Sequence, residues 1–215
     1  MIINHEHYRY KQKWKKIGQN RYNGAYYYSK EICANIIPRV KTQRNWITIN
    51  IPNVGCDHAI VFIHNNLHPE HYDWLSEYDD LVLVCGVPET CKKVAHLGKA
   101  VYLPLSVNVA YVEQFKTDHK DRGTAYVGRR SKANRGVLPK DISYLCGMPR
   151  EKLLKEMARY KRVYAVGRTA IEAKILGCEV LPYDRRFPDP DLWQTLDNAQ
   201  AAVMLQEMLN EIDKI

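Results

Sequence analysis

The stretch RVYAVGRTAIEAKILGCEVLPYD, residues 162–184, contains two predicted strands with a predicted helix between them. The strands are RVYAVG (162–167) and CEVLPYD (178–184), and the helix is TAIEAKILG (169–177). A strand, a connecting helix of about ten residues and a further strand form the βαβ unit of a parallel sheet. The stretch therefore predicts an α/β fold.

The same alternation of strands and helices extends to both sides of this unit. Pro88 begins one predicted helix, and Gly98 lies in its C-cap position. An amphipathic helix over about residues 196–213 closes the chain. The other predicted strands are 46–51, 59–64, 81–85, 100–105, 124–128 and 142–147, and the other predicted helices are 25–37, 69–78, 109–115 and 150–160.

Two sets of alternating elements predict two small Rossmann-like lobes. The N-terminal lobe (24–117) is reduced, the C-terminal lobe is 123–215, and KTDHKDRG (116–123) is the expected hinge between them. In the N-terminal lobe only seven residues separate WITINI (46–51) from AIVFIH (59–64). That length is too short for a crossover helix, so these strands are either antiparallel or joined by an unusual loop.

The composition is that of an ordinary globular protein, with 46% hydrophobic and 26% charged residues. No apolar run approaches the roughly 20 residues that span a bilayer. The N-terminus lacks the apolar core of a secretory signal, so we expect a cytoplasmic protein without a membrane span. The six cysteines form no Cys-x-x-Cys pair, which indicates reduced, structural thiols.

The net charge of +8 is unevenly distributed, and residues 1–23 form a basic arm. Tyrosines and Trp14 are interleaved with the basic residues of this arm, a mixture that suits phosphate contact and base stacking. The alternative is a solvated arm that keeps the protein soluble or contacts an acidic partner. The charged residues of the arm are Arg9, Lys11, Lys13, Lys15, Lys16 and Arg21, against Glu6.

The segment GRRSKANRG (128–136) follows the predicted strand TAYVG and is the first candidate site. Ligands of doubly wound sheets bind beyond the carboxyl ends of the strands. Glycines at both ends allow close approach of the backbone to an anion, and guanidinium groups contact phosphate in pairs of hydrogen bonds. The segment therefore predicts phosphate contact through Arg129, Lys132 and Arg135, and its alternative is a basic surface loop.

The turn GRTAIE (167–172) is the second candidate site. Gly167 and Thr169 lie where a helix N-terminus offers N–H groups and partial positive charge to a phosphate. Glu172, one turn later, can accept both hydroxyl groups of a ribose. Thr169 and Glu172 also have the spacing of a capping box, so a purely structural role is the alternative.

Two strand ends of the N-terminal half are weaker candidates. His64 follows AIVFI and would face a cleft, where histidine serves hydrogen bonding or acid–base chemistry. His64, His68 and His71 do not have the spacing of metal ligands on a helix, so no metal site is predicted. CGVPE (85–89) is expected to be a structural turn, and we also assign no metal to Asp189-Pro-Asp191.

These landmarks, taken in order, resemble the GT-B fold glycosyltransferases, in particular the group-1 type with a retaining mechanism. AIVFIHNN (59–66) is similar to the strand of that family that ends in VHIH. Residues 81–115 are similar to its segment of a strand, a helix and a V-I-P-N-G-V-D passage that leads to Phe. YVGRRSKANRG (126–136) resembles its diphosphate loop VGR…KG, and IEAKILGCEV (171–180) resembles its ribose-contacting helix EA…G…V.

The resemblance implies a nucleotide-sugar as donor substrate, without a metal or other cofactor. Arg129 and a basic group at Lys132 or Arg135 would contact the donor diphosphate, Glu172 the ribose, and His64 the transferred sugar as the catalytic residue.

The chain departs from the pattern of the family at three points. Tyr164 stands eight positions before Glu172, where the family has an acidic residue. Arg135 lies one position further along than the lysine of the family. The first strand and glycine loop of the usual N-terminal lobe are missing or replaced by the basic arm, so the chain resembles a pared-down member.

The sequence therefore leaves three classes of function open. The first is a compact glycosyltransferase, whose acceptor could be nucleic acid bound by the basic arm. The second is a non-catalytic protein that binds a nucleotide or nucleotide-sugar on the same fold. The third is a protein-interaction module that uses the arm. The sequence predicts no particular oligomeric state.

Overall fold

The computed structural model describes residues 2–3, 24–48, 57–63, 67, 69–130, 133–134 and 136–214. The chain has the predicted α/β architecture, with two parallel sheets. It divides into two compact units, of which the first comprises Met1–Pro104 and Asn198–Ile215 and the second Leu105–Asp197. Among the helices of the described residues, none has the length and apolar character that a membrane crossing requires.

The first unit contains a parallel sheet of five strands that lie side by side in chain order. Every residue of the third and fourth strands is buried, as expected for the centre of a parallel sheet covered on both faces. The strands are β1 (Ile2–Ile3), β2 (Asn45–Ile47), β3 (Ala59–Ile63), β4 (Leu81–Cys85) and β5 (Lys99–Tyr102).

Strands β2 and β3 are parallel, with Trp46 beside Ile60, so the antiparallel alternative is wrong. The connection between them includes residues 49–56, which lie outside the described residues. At its end His58 has a φ of 51°, and its carbonyl accepts a hydrogen bond of 2.8 Å from the amide of Asn45. This hydrogen bond joins the start of β2 to the residue just before β3.

Within the described residues, three helices of the first unit precede the second unit: α1 (Gly24–Glu31), α2 (Pro69–Ser76) and α3 (Pro88–Val94). Helix α1 continues through a π-helical turn, Ile32–Ile36, into a 3₁₀ turn, Ile37–Arg39. Pro38 lies in that last turn, and the α-helix cannot continue through it because proline has no N–H group to donate. The predicted helix over 25–37, closed by Pro38, is therefore wrong in its end: the α-helix ends at Glu31, and helical turns continue through Pro38 to Arg39.

Gly98 has a different role from the predicted C-cap. Helix α3 ends at Val94, with Ala95 as its C-cap residue, so Gly98 lies beyond the helix end. A Cβ atom at Gly98 would lie 2.7 Å from the carbonyl oxygen of Leu81. Glycine is required because the chain passes close to the backbone of β4, a tertiary contact that local sequence does not indicate.

The second unit has four parallel strands in the order β7-β6-β8-β9. The predicted βαβ unit of residues 162–184 is confirmed, because β8, a helix and β9 follow one another and the two strands are parallel neighbours. The strands are β6 (Arg122–Val127), β7 (Ser143–Leu145), β8 (Tyr160–Tyr164) and β9 (Glu179–Leu181), and the helices are α4 (Val109–Glu113), α5 (Arg150–Met157) and α6 (Arg168–Ile175).

The last helix, α7 (Asn198–Ile212), belongs to the first unit. Its buried residues Ala201, Leu205 and Leu209 recur every four positions and form one apolar face. It packs against the π-helical turn Ile32–Ile36, and the amide nitrogen of Asn198 donates to Glu31 at 3.1 Å.

The division of the chain therefore differs from the predicted lobes 24–117 and 123–215. The units meet after Pro104, and α7 returns to the first unit because its apolar face is buried there. The predicted basic arm 1–23 also begins inside the fold, since Ile2 pairs with Trp46 in the sheet. Residues 4–23 of the arm lie outside the described residues.

Candidate functional site

The strand order of the second unit creates a switch point between β6 and β8. From β6 the chain passes to β7 on one side, and from β8 it passes to β9 on the other side. Connections that leave neighbouring strands in opposite directions open a crevice beyond the carboxyl ends of those strands, where ligands of such sheets bind. The two candidate segments of the second half, 128–136 and 167–172, both follow these two strands.

The basic loop, residues 128–136, begins directly after β6. Arg129 and Arg130 are exposed, whereas Lys132 and Arg135 lie outside the described residues. The hydroxyl group of Tyr126, in β6, donates a hydrogen bond of 3.0 Å to the carbonyl oxygen of Arg129. A Cβ atom at Gly128 would lie 2.8 Å from that hydroxyl oxygen, so glycine permits the contact.

Asn134 connects the basic loop to the segment that follows β9. Its backbone amide donates to the hydroxyl group of Tyr183, and its side-chain amide donates to Asp184 at 2.9 Å. Its side-chain oxygen accepts a hydrogen bond of 3.1 Å from the amide of Gly136. The loop is therefore held at both Arg129 and Asn134.

The turn between β8 and α6 has the backbone that a glycine requires. Gly167 is the N-cap residue with φ 63° and ψ −141°, and Arg168 is the first helical residue. Thr169 therefore lies inside the helix, and the predicted capping box with Thr169 as N-cap is wrong. The carbonyl oxygen of Gly167 accepts hydrogen bonds from the amides of Ala170 and Ile171 at 2.9 and 3.2 Å.

Glu172 lies on α6 and contacts two arginines at one carboxylate oxygen. Arg150 Nη2 is 2.8 Å from Glu172 Oε1, and Arg168 Nη2 is 3.4 Å from the same atom. The side chains of Arg150, Arg168 and Glu172 are 13%, 8% and 6% exposed, so this cluster is buried. The guanidinium group of Arg150 also lies over the ring of Tyr111, 5.8 Å from its centroid.

The two arginines of this cluster were not predicted from the sequence. Arg150 is the first residue of α5 and Arg168 the first residue of α6, and these helices follow β7 and β8. Each of them therefore lies beyond the carboxyl end of a strand, β7 or β8. That position is the signal that could have identified them. Their convergence on Glu172 depends on tertiary packing.

Tyr164, eight positions before Glu172, belongs to a row of tyrosines across the sheet. Tyr126 pairs in register with Tyr144 on β7 and with Tyr164 on β8. The ring of Tyr183 lies 5.3 Å from that of Tyr126 and 6.4 Å from that of Tyr164. Burial, with Tyr183 nearby, raises the pKa of Tyr126, so its phenol remains protonated and can donate to the loop.

The structure gives less information on the candidate residues of the N-terminal half. His64 lies outside the described residues, as does His68, while His71 lies on α2 with its ring 4.9 Å from that of Trp74. Residues 85–89 form the expected strand-to-helix turn, with Val87 as N-cap of α3. In the described part of the chain, no three His, Cys, Asp or Glu side chains are grouped as metal ligands.

The acidic pair Asp189 and Asp191 has a structural role. Asp189 is the N-cap residue of a 3₁₀ turn, Pro190–Leu192, and its carboxylate accepts a hydrogen bond of 3.0 Å from the amide of Asp191.

Comparisons of the chain with protein-family models, with curated proteins and with solved structures find no match.

Proposed function

We propose that the second unit binds the diphosphate of a nucleotide-sugar at the carboxyl ends of β6 and β8, and that the chain is a compact glycosyltransferase of the GT-B type. The observation that carries this proposal is the position of two segments. The basic loop and the Gly167 turn both follow the strands that flank the switch point.

The charge of the second unit supports an anionic ligand. Residues 105–197 contain eighteen Lys and Arg against twelve Asp and Glu, which is a net charge of +6 within the chain's +8. The exposed guanidinium groups of Arg129 and Arg130 suit phosphate oxygens, and the first turn of α6 adds N–H groups and a partial positive charge.

The proposed reaction breaks the bond between the anomeric carbon of the sugar and the diphosphate oxygen, and an acceptor oxygen forms the new bond to that carbon. Negative charge develops on the leaving diphosphate. Fixed cationic groups and helix N–H groups at that position lower the barrier because they need not reorganise during the reaction. In this proposal Arg129 contacts the diphosphate, whereas Lys132, Arg135 and His64, which lie outside the described residues, keep only the roles that the resemblance implies.

Turnover is tested by incubating the chain with UDP-, GDP- and ADP-sugars and measuring released nucleoside diphosphate. We expect release with one donor class and a loss of release in the Arg129→Ala variant. Absence of turnover with every donor, combined with tight donor binding, would select the second candidate below.

The role of Glu172 has two forms within this proposal. It contacts the donor ribose, as the family resemblance implies, or it holds Arg150 and Arg168, which it contacts in the structure. The Glu172→Gln variant separates these roles. Weaker UDP binding with unchanged pyrophosphate binding indicates ribose contact, whereas equal weakening of both indicates that Glu172 positions the arginines.

A second candidate function is a non-catalytic nucleotide-sugar binder. It is favoured by Tyr164, whose ring lies in the tyrosine row instead of supplying the acidic group of the family. Stabilisation by nucleotides without any sugar transfer or hydrolysis would select this function. Restoring an acid with Tyr164→Glu would then disrupt the row and lower stability without producing turnover.

The proposal of nucleic acid as acceptor is tested without deleting the arm. Deletion of residues 1–23 would also remove β1, which pairs with β2. Replacing Lys11, Lys13, Lys15 and Lys16 by Gln instead keeps the strand. We expect weaker DNA binding with a shallower salt dependence if the arm contacts phosphates, because fewer counterions are released.

A further inference from the structure

Asn134 is tied to its surroundings by every polar group that it carries, and its backbone carbonyl accepts hydrogen bonds of 3.1 Å from the amides of Val137 and Leu138. Its backbone amide donates to Tyr183, its side-chain amide donates to Asp184, and its side-chain oxygen accepts from Gly136. These contacts fix the backbone at Asn134, within the basic loop.

Asp184 is the acceptor that makes this arrangement firm. Its side chain is 7% exposed, and Arg186 Nη2 lies 2.7 Å from the carboxylate oxygen Oδ2 that also accepts from Asn134. The other oxygen, Oδ1, accepts from the amide and Nε of Arg186, each at 3.0 Å. These hydrogen bonds, first those of Arg186 and then that of Asn134, lower the pKa of Asp184, so the acceptor is ionised at neutral pH.

The loop is also anchored on the sheet. Ala133 packs against the cluster that contains Tyr126 and Tyr183, and Tyr126 holds the carbonyl of Arg129. Arginine and lysine side chains lose conformational entropy when they bind, and a loop that must also be ordered adds to that cost. When the loop is already ordered before binding, less of the interaction energy with the ligand is lost to ordering the loop.

We propose that Asn134 and Asp184 are positioning residues, which hold the basic loop so that Arg129 and Arg130 reach a diphosphate. This inference rests on the proposed diphosphate site, because it assigns a role in that site. A carboxylate beside an anion site would repel the ligand if it faced it. Asp184 instead directs both oxygens to Asn134 and Arg186.

The test compares pyrophosphate and UDP binding by isothermal titration in wild-type protein and in Asn134→Ala, Asp184→Ala, Tyr183→Phe and Arg129→Ala variants. Tyr183→Phe keeps the aromatic ring and removes the hydroxyl acceptor of the Asn134 amide, so it reports on the loop if the other variants fold poorly. Lys155→Ala is the matched control, because Lys155 is exposed and pairs with Glu151 on α5.

We expect Asn134→Ala and Asp184→Ala each to weaken pyrophosphate binding by about five- to tenfold, the size of one typical hydrogen bond. The double variant should bind more tightly than the sum of the two single effects predicts, because the bond between Asn134 and Asp184 is already lost in each single variant. Arg129→Ala should weaken binding in the wild-type background but have little further effect in the Asn134→Ala background.

Two outcomes would overturn the inference, and they are distinguishable. Wild-type protein that binds neither pyrophosphate nor UDP overturns the proposed function together with this inference. Wild-type protein that binds and depends on Arg129, with Asn134→Ala and Tyr183→Phe binding as tightly, overturns the positioning role alone.

Discussion

At the scale of single residues, Glu172 brings together two buried guanidinium groups, those of Arg150 and Arg168. Removal of one partner from a buried ion cluster leaves charge without compensation, which destabilises by about 3–5 kcal/mol. We therefore predict that Glu172→Ala lowers the free energy of unfolding by about that amount in urea titrations. Glu151→Ala, at an exposed pair on α5, should change it by less than about 1 kcal/mol.

Equal effects of these two substitutions would contradict the account of Glu172. A large effect of Glu172→Ala alone would agree with it, whichever role the residue has toward ligand.

Arg129 illustrates which features of a single residue can be predicted from the sequence and which depend on tertiary contacts. Its charge, its neighbouring glycine and its place after a strand predicted an exposed basic loop, and the structure has Arg129 exposed there. The hydrogen bond from Tyr126 to its carbonyl could not be predicted, because a tyrosine in a buried strand indicates only packing. Likewise, nothing local to Glu172 indicates Arg150, which is 22 positions earlier in the sequence.

At the scale of elements, the start of α6 depends on Gly167. Its φ of 63° and ψ of −141° lie in a region that residues with a Cβ atom adopt only under strain. We predict that Gly167→Ala lowers the free energy of unfolding by about 1–3 kcal/mol, measured by urea titration.

Gly123→Ala is the control for this prediction. Gly123 lies in β6, and a Cβ atom there would meet nothing within 4 Å. Its substitution should leave stability within about 1 kcal/mol of the wild-type value. Destabilisation of both variants to the same extent would show that the backbone of the Gly167 turn has no special requirement.

The alternation of strands and helices was predictable because buried parallel strands are continuous apolar runs, as in LVLVC at β4. The pairing of β2 with β3 was not, since loop length alone did not decide between a parallel and an antiparallel arrangement. The π-helical turn Ile32–Ile36 was also missed, because its sequence has ordinary helical character and the departure arises from packing.

At the scale of the whole molecule, acidic pH should destabilise the fold through aspartates paired with cations. A hydrogen bond from Arg159 lowers the pKa of Asp121 to about 2. The pKa of Asp80 is lowered by its hydrogen bond with His58 and by Arg44. Because the folded pKa is below the unfolded value near 3.9, these groups stabilise the fold above that value, and the stabilisation is lost as pH falls toward 2.

We therefore predict that the titration of these aspartates leaves the Tm unchanged above about pH 5 and lowers it between about pH 4 and 2. Asp121→Asn should lower the Tm at pH 7 and reduce the fall across the acidic interval, and thermal melts monitored by circular dichroism would measure both. If the Tm falls by the same amount in wild type and in Asp121→Asn, then Asp121 does not contribute to the loss of stability at acidic pH.

The assignment of α7 to the first unit also belongs to this scale. An amphipathic helix near the end of the chain was predictable from its apolar period, but that period does not say which sheet receives the helix. Contacts such as Asn198 with Glu31 decide it, and they join residues 167 positions apart.

The central claim is that the second unit binds a diphosphate at its switch point, and direct titration tests it. UDP, GDP, ADP and inorganic pyrophosphate are added to wild-type chain and to Arg129→Ala at two salt concentrations. We expect the wild-type chain to bind pyrophosphate and at least one nucleoside diphosphate. Higher salt and the Arg129→Ala substitution should both weaken this binding. Absence of binding by all four compounds, or binding that Arg129→Ala leaves unchanged, would contradict it.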